Sequence, residues 1–214
     1  SGFRVRGCLR PGTFGASSFN PEPFNIEPLN LMQGHHLIIG ELDDLITGEP
    51  LKDTLDERYR QKIAGLLVNQ KGYLKADITP RRNLLVAADE CKAKVKVDFV
   101  INFAGRIWMI IKFGPGSIVT RRRPVLAASR IMAPYQIPVA VVTNGEDAEI
   151  LNGASGDILS TGLETIPSKS ELQQMATEDH FRTIDKNRAD MESRIVYCFE
   201  VDGSCPCDDN VCRL

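Results

Sequence analysis

The residues with the most chemical potential in this 214-residue sequence are Asp98 and Lys112. Ala104-Gly105-Arg106 reads as a three-residue hairpin loop that pairs Phe103 with Ile107, and this register sets Asp98 opposite Lys112 and Val100 opposite Ile110. A carboxylate is a hard oxygen ligand for Mg²⁺, and a facing ammonium can orient a water or steady charge developing on phosphorus. Together they suit attack on a phosphodiester. The same two residues also read as a cross-strand ion pair on a half-exposed sheet. Just past Lys112, Gly114-Pro115-Gly116-Ser117 lets a backbone approach closely, and Arg121-Arg122-Arg123 precede a helix that opens at Pro124. Arginines are misplaced at the positive end of a helix, so this run asks for an anion, with phosphate the natural choice. A solvated basic turn is the competing reading.

Charge is unevenly spread around these residues. The chain carries 26 basic and 28 acidic residues, a net −2, so nothing global announces nucleic acid. Yet no Asp or Glu occurs from Phe99 to Gly145, where Arg106, Lys112, Arg121, Arg122, Arg123 and Arg130 all fall. A local basic field in an acidic chain is what an anion-binding face would look like. With 43% hydrophobic and 25% charged residues, the composition excludes a disordered, collagen-like or coiled-coil chain. The apolar runs are too short to span a bilayer, and no apolar segment follows Arg4 and Arg6 as in an export signal. The expectation is a cytoplasmic protein with no membrane partner, and a homodimer is compatible with the sequence.

The elements that must position these residues can be read from spacing. Thr54-Leu55-Asp56-Glu57 is a capping box opening a helix in which Tyr59, Ile63, Leu66 and Leu67 recur at helical spacing, with Gly72 as its stop. Strands are expected at about 82–88, 94–103 and 106–113, the second with Val95, Val97, Phe99, Ile101 and Phe103 on one face and Lys94, Lys96, Asp98, Val100 and Asn102 on the other. A helix from Pro124 to about Met132, a buried strand at Val139–Thr143, a short strand near 148–151 and helices at 168–178 and 183–197 complete the order. Helix, three-stranded meander, helix and strand make an α/β sandwich. Residues 1–31 read as an irregular extension, 32–167 as the main domain, and 168–214 as C-terminal helices with a cysteine-rich tail.

Five short motifs fall within these elements: Asp56-Glu57-Arg58-Tyr59-Arg60-Gln61, Lys71-Gly72-Tyr73, Val97-Asp98-Phe99-Val100, Ile110-Ile111-Lys112 and Val142-Thr143-Asn144-Gly145. In this order they resemble the N-terminal nuclease domain of type I restriction enzyme R subunits, within the PD-(D/E)xK, or restriction-endonuclease-like, superfamily. The resemblance covers roughly residues 50–152. It implies an α/β restriction-endonuclease-like core, a mixed central sheet flanked by helices, here with a helical C-terminal extension. It also implies Mg²⁺-dependent cleavage of DNA. Carried over residue by residue, Asp98 is the metal-binding aspartate, Lys112 the catalytic lysine and Glu57 the acidic residue of the first helix. The backbone carbonyl of Ile111 is a further metal ligand. Independently of the resemblance, the basic run and the turn before it make Ser117, Arg121, Arg122 and Arg123 the expected nucleic-acid contacts. The chain departs from the pattern where the second carboxylate, two residues before the lysine, falls on Ile110. The glutamine and tyrosine of the following helix fall on Ala127 and Ile131. One hard ligand fewer predicts weak or absent Mg²⁺ binding and impaired cleavage, which Ile110→Glu is expected to strengthen. The alternative is a catalytically inactive nucleic-acid-binding or assembly module on the same fold.

The six cysteines raise a separate possibility. Cys198, Cys205, Cys207 and Cys212 crowd the last seventeen residues, while Cys8 and Cys91 stand apart. Without export signals such crowding favours thiols or metal over disulfides. Four thiolates would hold Zn²⁺. The C-terminal trio with an upstream fourth ligand from Cys8 or Cys91 would suit an iron–sulfur cluster, as in some superfamily nucleases. A thiol-rich tail without metal is the third reading.

Overall fold

A computed structural model describes residues 37–175, 181–202, 204 and 210–214. The expected extension over residues 1–31 and Cys8, Cys205 and Cys207 lie outside the described residues. The chain opens with a small hairpin, β1 (Gly40–Asp43) and β2 (Pro50–Asp53), followed by α1 (Leu55–Asn69). The meander comprises β3 (Ile78–Ala88), β4 (Cys91–Phe103) and β5 (Arg106–Phe113). Next come α2 (Arg122–Ile131), β6 (Val139–Thr143), β7 (Ala148–Asn152) and β8 (Ile158–Thr161). The chain then forms α3 (Lys169–Met175), α4 (Lys186–Val196) with a π turn at Tyr197–Val201, and β9 (Val211–Arg213).

β3 to β8 lie side by side in chain order, with β9 added along the first part of β4. Only the β5–β6 pair is parallel among the described residues. A parallel pair needs a crossover, and α2 supplies it. The sheet is therefore mixed, mostly antiparallel and flanked by helices, as the α/β expectation requires. α1 and α3 cover one face through Ile63, Ala64, Leu67 and Leu172 on Phe99, Met109, Ile111 and Val141. α2 and the end of α4 cover the other through Val125, Ala127, Ala128, Val196 and Tyr197 on Val95, Val100, Ile110 and Ala140. With both faces covered, β6 is buried along its length and apolar up to Thr143.

Local chemistry explains the ends of these elements. Thr54 caps α1 through its hydroxyl, which accepts the Glu57 amide at 3.1 Å, the first half of the expected capping box, while the Glu57 carboxylate turns instead to Gln61 and Arg81. Gly72 adopts the left-handed conformation just after the helix (φ +73°). β3 would expose an 11-residue edge, but Ser193 of α4 accepts the Ala87 amide at 2.7 Å and donates to its carbonyl at 3.0 Å.

Several expectations need correction. The β4–β5 loop holds two residues, not three: Ala104 (φ +50°) and Gly105 (φ +75°) both take positive φ, and Phe103 pairs with Arg106. This is the turn geometry whose twist matches paired strands. A bulge between Ile101 and Asn102 absorbs the one-residue difference, so Val100 still faces Ile110. The regular alternation assigned to β4 also breaks, because Val95 and Val97 pack toward α2 and α4 while Phe99, Ile101 and Phe103 pack toward α1. The phase changes beside Asp98, opposite Arg81, which itself takes a positive φ of 50°. Finally, α2 opens at Arg122 rather than Pro124, while β1, β2, β8 and β9 are too short to announce themselves by periodicity.

Candidate active site

Asp98 sits where β4 and β5 cease to pair, one residue beyond the Phe99–Ile111 match. It is buried, and both carboxylate oxygens have protein partners. Oδ2 accepts the Phe113 amide at 2.8 Å, and Oδ1 accepts Nε of Arg60 at 2.6 Å. Arg60 belongs to the α1 stripe that continues through Ile63, Ala64 and Leu67, so an arginine occupies a core-facing position. Its guanidinium lies 5.0 Å from the centre of the Phe113 ring, within cation–π range. Burial alone would lower the Arg60 pKa, but Asp98, with Glu57, outweighs burial and holds it above the ordinary arginine value.

Glu57 joins the same constellation. Oε2 is 3.6 Å from Nη1 of Arg60, and Oε1 accepts from Gln61 at 2.9 Å and from Arg81 at 2.6 Å. Arg81 also bonds Asp44, whose carboxylate receives the amides of Ile46 at 2.7 Å and Thr47 at 3.2 Å. Burial alone would raise the Asp44 pKa; its bonds to Arg81 and those amides bring it below the ordinary value. The result is an alternating chain, Asp98–Arg60–Glu57–Arg81–Asp44, between α1, the meander and the β1–β2 turn. Arg60, Arg81 and Asp44 were not singled out as site residues from the sequence. For Arg60 the signal was present, as a charge on the apolar stripe of a well-patterned helix.

Lys112 is drawn elsewhere. Its ammonium donates to the Lys96 carbonyl at 2.9 Å and pairs with Glu200 at 2.9 Å, in the π turn after α4. No ion pair joins it to Asp98 among the described residues. Ile110 has no exposed surface and packs in the apolar layer under α2. Ile111 is buried mid-sheet between Phe99 and Val141. The face expected to be the more polar one is thus apolar core around Ile110, roofed by a helix.

These residues do not fit a Mg²⁺ centre of the kind the resemblance implies. A hard cation needs several free oxygen ligands. Here Asp98 and Glu57 share a guanidinium, Ile110 contributes no oxygen, and the lysine is committed to another carboxylate.

The basic run is divided in the same manner. Arg122 pairs with Glu149, while Arg123 and Arg130 meet the buried Glu192 at 2.6 and 2.8 Å, joined by Arg188 at 2.8 Å. Arg121 has no carboxylate partner among the described residues. It packs over Gly114 and donates to the Pro115 carbonyl at 3.1 Å, next to exposed Ser117. Of the cysteines, Cys91 is disulfide-bonded, while Cys198 and Cys212 are exposed free thiols. Among the described residues no group of three or more His, Cys, Asp or Glu could hold a metal ion, and no helix is long and apolar enough to cross a membrane.

Neither the curated proteins nor the solved structures yield a match. The family model for the type I restriction enzyme R protein N terminus does, over residues 55–167, from the first turn of α1 to the segment before α3. That span takes in α1, the meander, α2 and the strands beyond it, in the order the motifs set. Since the match covers more than half of the sequence, the chain belongs to the family of type I restriction enzyme R protein N-terminal domains.

Proposed function

We propose that the protein is a non-cleaving, nucleic-acid-binding member of this family: a restriction-endonuclease-like module that contacts DNA phosphates without hydrolysing them. The observation that carries the proposal is the fate of Asp98, whose oxygens are taken by Arg60 and the Phe113 amide while Lys112 pairs with Glu200. Hydrolysis of a phosphodiester by this chemistry needs a cation on that carboxylate and an ammonium beside it. Neither requirement is met by the donors present.

DNA contact is supported by the family and by the end of the parallel β5–β6 pair, the place where open α/β sheets accept ligands. Gly114, Gly116, Ser117 and Asn144 gather there, with Asn144 donating to the Gly116 carbonyl at 3.4 Å. Arg121 supplies a positive charge at this end. Arg122 and Arg123 contribute less, because their charges are already matched by Glu149 and Glu192.

The proposal is tested by incubating the full chain with supercoiled and linear DNA in Mg²⁺ and Mn²⁺, beside anisotropy titrations of a labelled duplex. The expected result is no metal-dependent nicking, with binding that weakens as salt rises. Arg121→Ala should reduce the salt slope by about one phosphate contact. Nicking that disappears in Asp98→Ala overturns the non-cleaving half. An absence of binding at low salt overturns the nucleic-acid half.

A further inference from the structure

We infer that Arg60 is the resident cation of the Asp98–Glu57 pocket, standing where a divalent ion would otherwise bind, so that the native chain excludes such ions and a chain lacking this guanidinium accepts one. The inference deepens the non-cleaving reading and rests on it. Its basis is the pairing of atoms. Arg60 pairs with one oxygen of each carboxylate: Asp98 Oδ1, at 2.6 Å from Nε, and Glu57 Oε2, at 3.6 Å from Nη1. Each carboxylate is fixed through its other oxygen: Asp98 Oδ2 by the Phe113 amide, and Glu57 Oε1 by Gln61 and Arg81. Removing the guanidinium therefore leaves two oriented oxygens facing the space it filled.

The pocket does not readily release its arginine. The side chains of Arg60, Asp98 and Glu57 are only 13%, 6% and 10% exposed, so the ion pairs are weakly screened. The Phe113 ring supports the guanidinium from one side. A divalent ion entering the native pocket would meet this positive charge before it met a free oxygen pair. The arrangement differs from an ordinary structural ion pair because one arginine bridges two carboxylates from different elements, α1 and β4. One of these is the aspartate that the family resemblance assigns to metal.

The test compares the native chain with Arg60→Gln, Arg60→Lys and the double variant Arg60→Gln, Asp98→Asn. Mn²⁺ binding is followed by the electron-spin-resonance signal of free Mn²⁺, and folding by thermal unfolding with and without Mn²⁺. The native chain and Arg60→Lys should show no Mn²⁺-dependent shift in unfolding temperature. Arg60→Gln should unfold at a lower temperature without metal, bind Mn²⁺ at least about tenfold more tightly than the native chain and regain stability on binding. The double variant should lose that gain. If Arg60→Gln fails to fold alone, recovery of folded protein with Mn²⁺ supports the inference, and failure with and without Mn²⁺ overturns it. Asp98-dependent Mn²⁺ binding by the native chain also overturns it, as does a folded Arg60→Gln that gains no affinity. Metal-dependent DNA nicking by the native chain defeats the non-cleaving reading itself. A silent native chain with an unresponsive Arg60→Gln defeats only the role given to Arg60.

Discussion

Replacing Ile110 with glutamate separates two views of the site. On the sequence pattern alone, Ile110→Glu supplies the missing second carboxylate and strengthens metal binding. In the fold, Ile110 has no exposed surface and lies under α2 with Val100 and Ala140. Removing a fully buried isoleucine costs about 1.5–3 kcal/mol of apolar burial. The introduced carboxyl then stays protonated, and holding it so at neutral pH against an ordinary glutamate value of about 4.3 costs about 3–4 kcal/mol. The combined loss, about 5–7 kcal/mol, reaches the lower part of the whole stability of an ordinary domain, about 5–15 kcal/mol. Lys112 lies two residues along the strand, but turning it inward would strand Glu200. Urea unfolding monitored by Trp108, the single tryptophan, provides the assay. A raised folded pKa makes the deficit smallest below the ordinary glutamate pKa, about 4.3. The deficit then widens as pH rises toward the raised value. Ile110→Glu should therefore be much less stable than native at pH 8 and less severely so at pH 4. A variant with native stability and new Mn²⁺ affinity would refute the placement of Ile110.

Other substitutions test the frame around the site. Glu192→Gln should cost about 3 kcal/mol, because Arg130 remains buried with its charge unpaired, while the more exposed Arg123 and Arg188 regain water. Burial would raise the Glu192 pKa, but its arginines hold it below the ordinary value. Its stabilisation is present above the unfolded pKa and is lost as pH falls through the folded one, so Glu192→Gln should flatten that part of acid unfolding. Gly153→Ala drives a methyl into the Ile137 carbonyl and should lose about 1–3 kcal/mol in denaturant unfolding, or more if the turn cannot shift. Ser193→Ala removes both bonds to Ala87 and should cost about 1–3 kcal/mol, with faster hydrogen exchange at the Ala87 amide.

The parts of the fold legible in the sequence were those with long periods or strong local chemistry. α1 was signalled by Thr54 and by its apolar stripe, and β6 by an unbroken apolar run. Strands of three or four residues, such as β1, β8 and β9, have no room to show alternation. Alternation also misled at Asp98. It presumes an unbroken strand, whereas Arg81 takes a positive φ opposite this stretch and the strand changes phase there. The candidate residues were visible one by one, but their partners were not. Asp98 meets Arg60 across 38 positions, and Lys112 meets a glutamate from the far end of the chain. The arginine run looked like an anion site because Glu149 and Glu192 are distant in sequence; the fold brings them to Arg122 and Arg123.

Occupation of the Asp98 carboxylate by protein donors can be read directly at the Phe113 amide, which donates to it at 2.8 Å. A ¹⁵N-labelled native chain titrated with Mn²⁺ would report any ion at that carboxylate as paramagnetic broadening of this resonance. The Phe113 amide should stay as sharp as amides remote from any carboxylate through millimolar Mn²⁺. Selective broadening of Phe113, abolished by Asp98→Asn, would contradict that occupation.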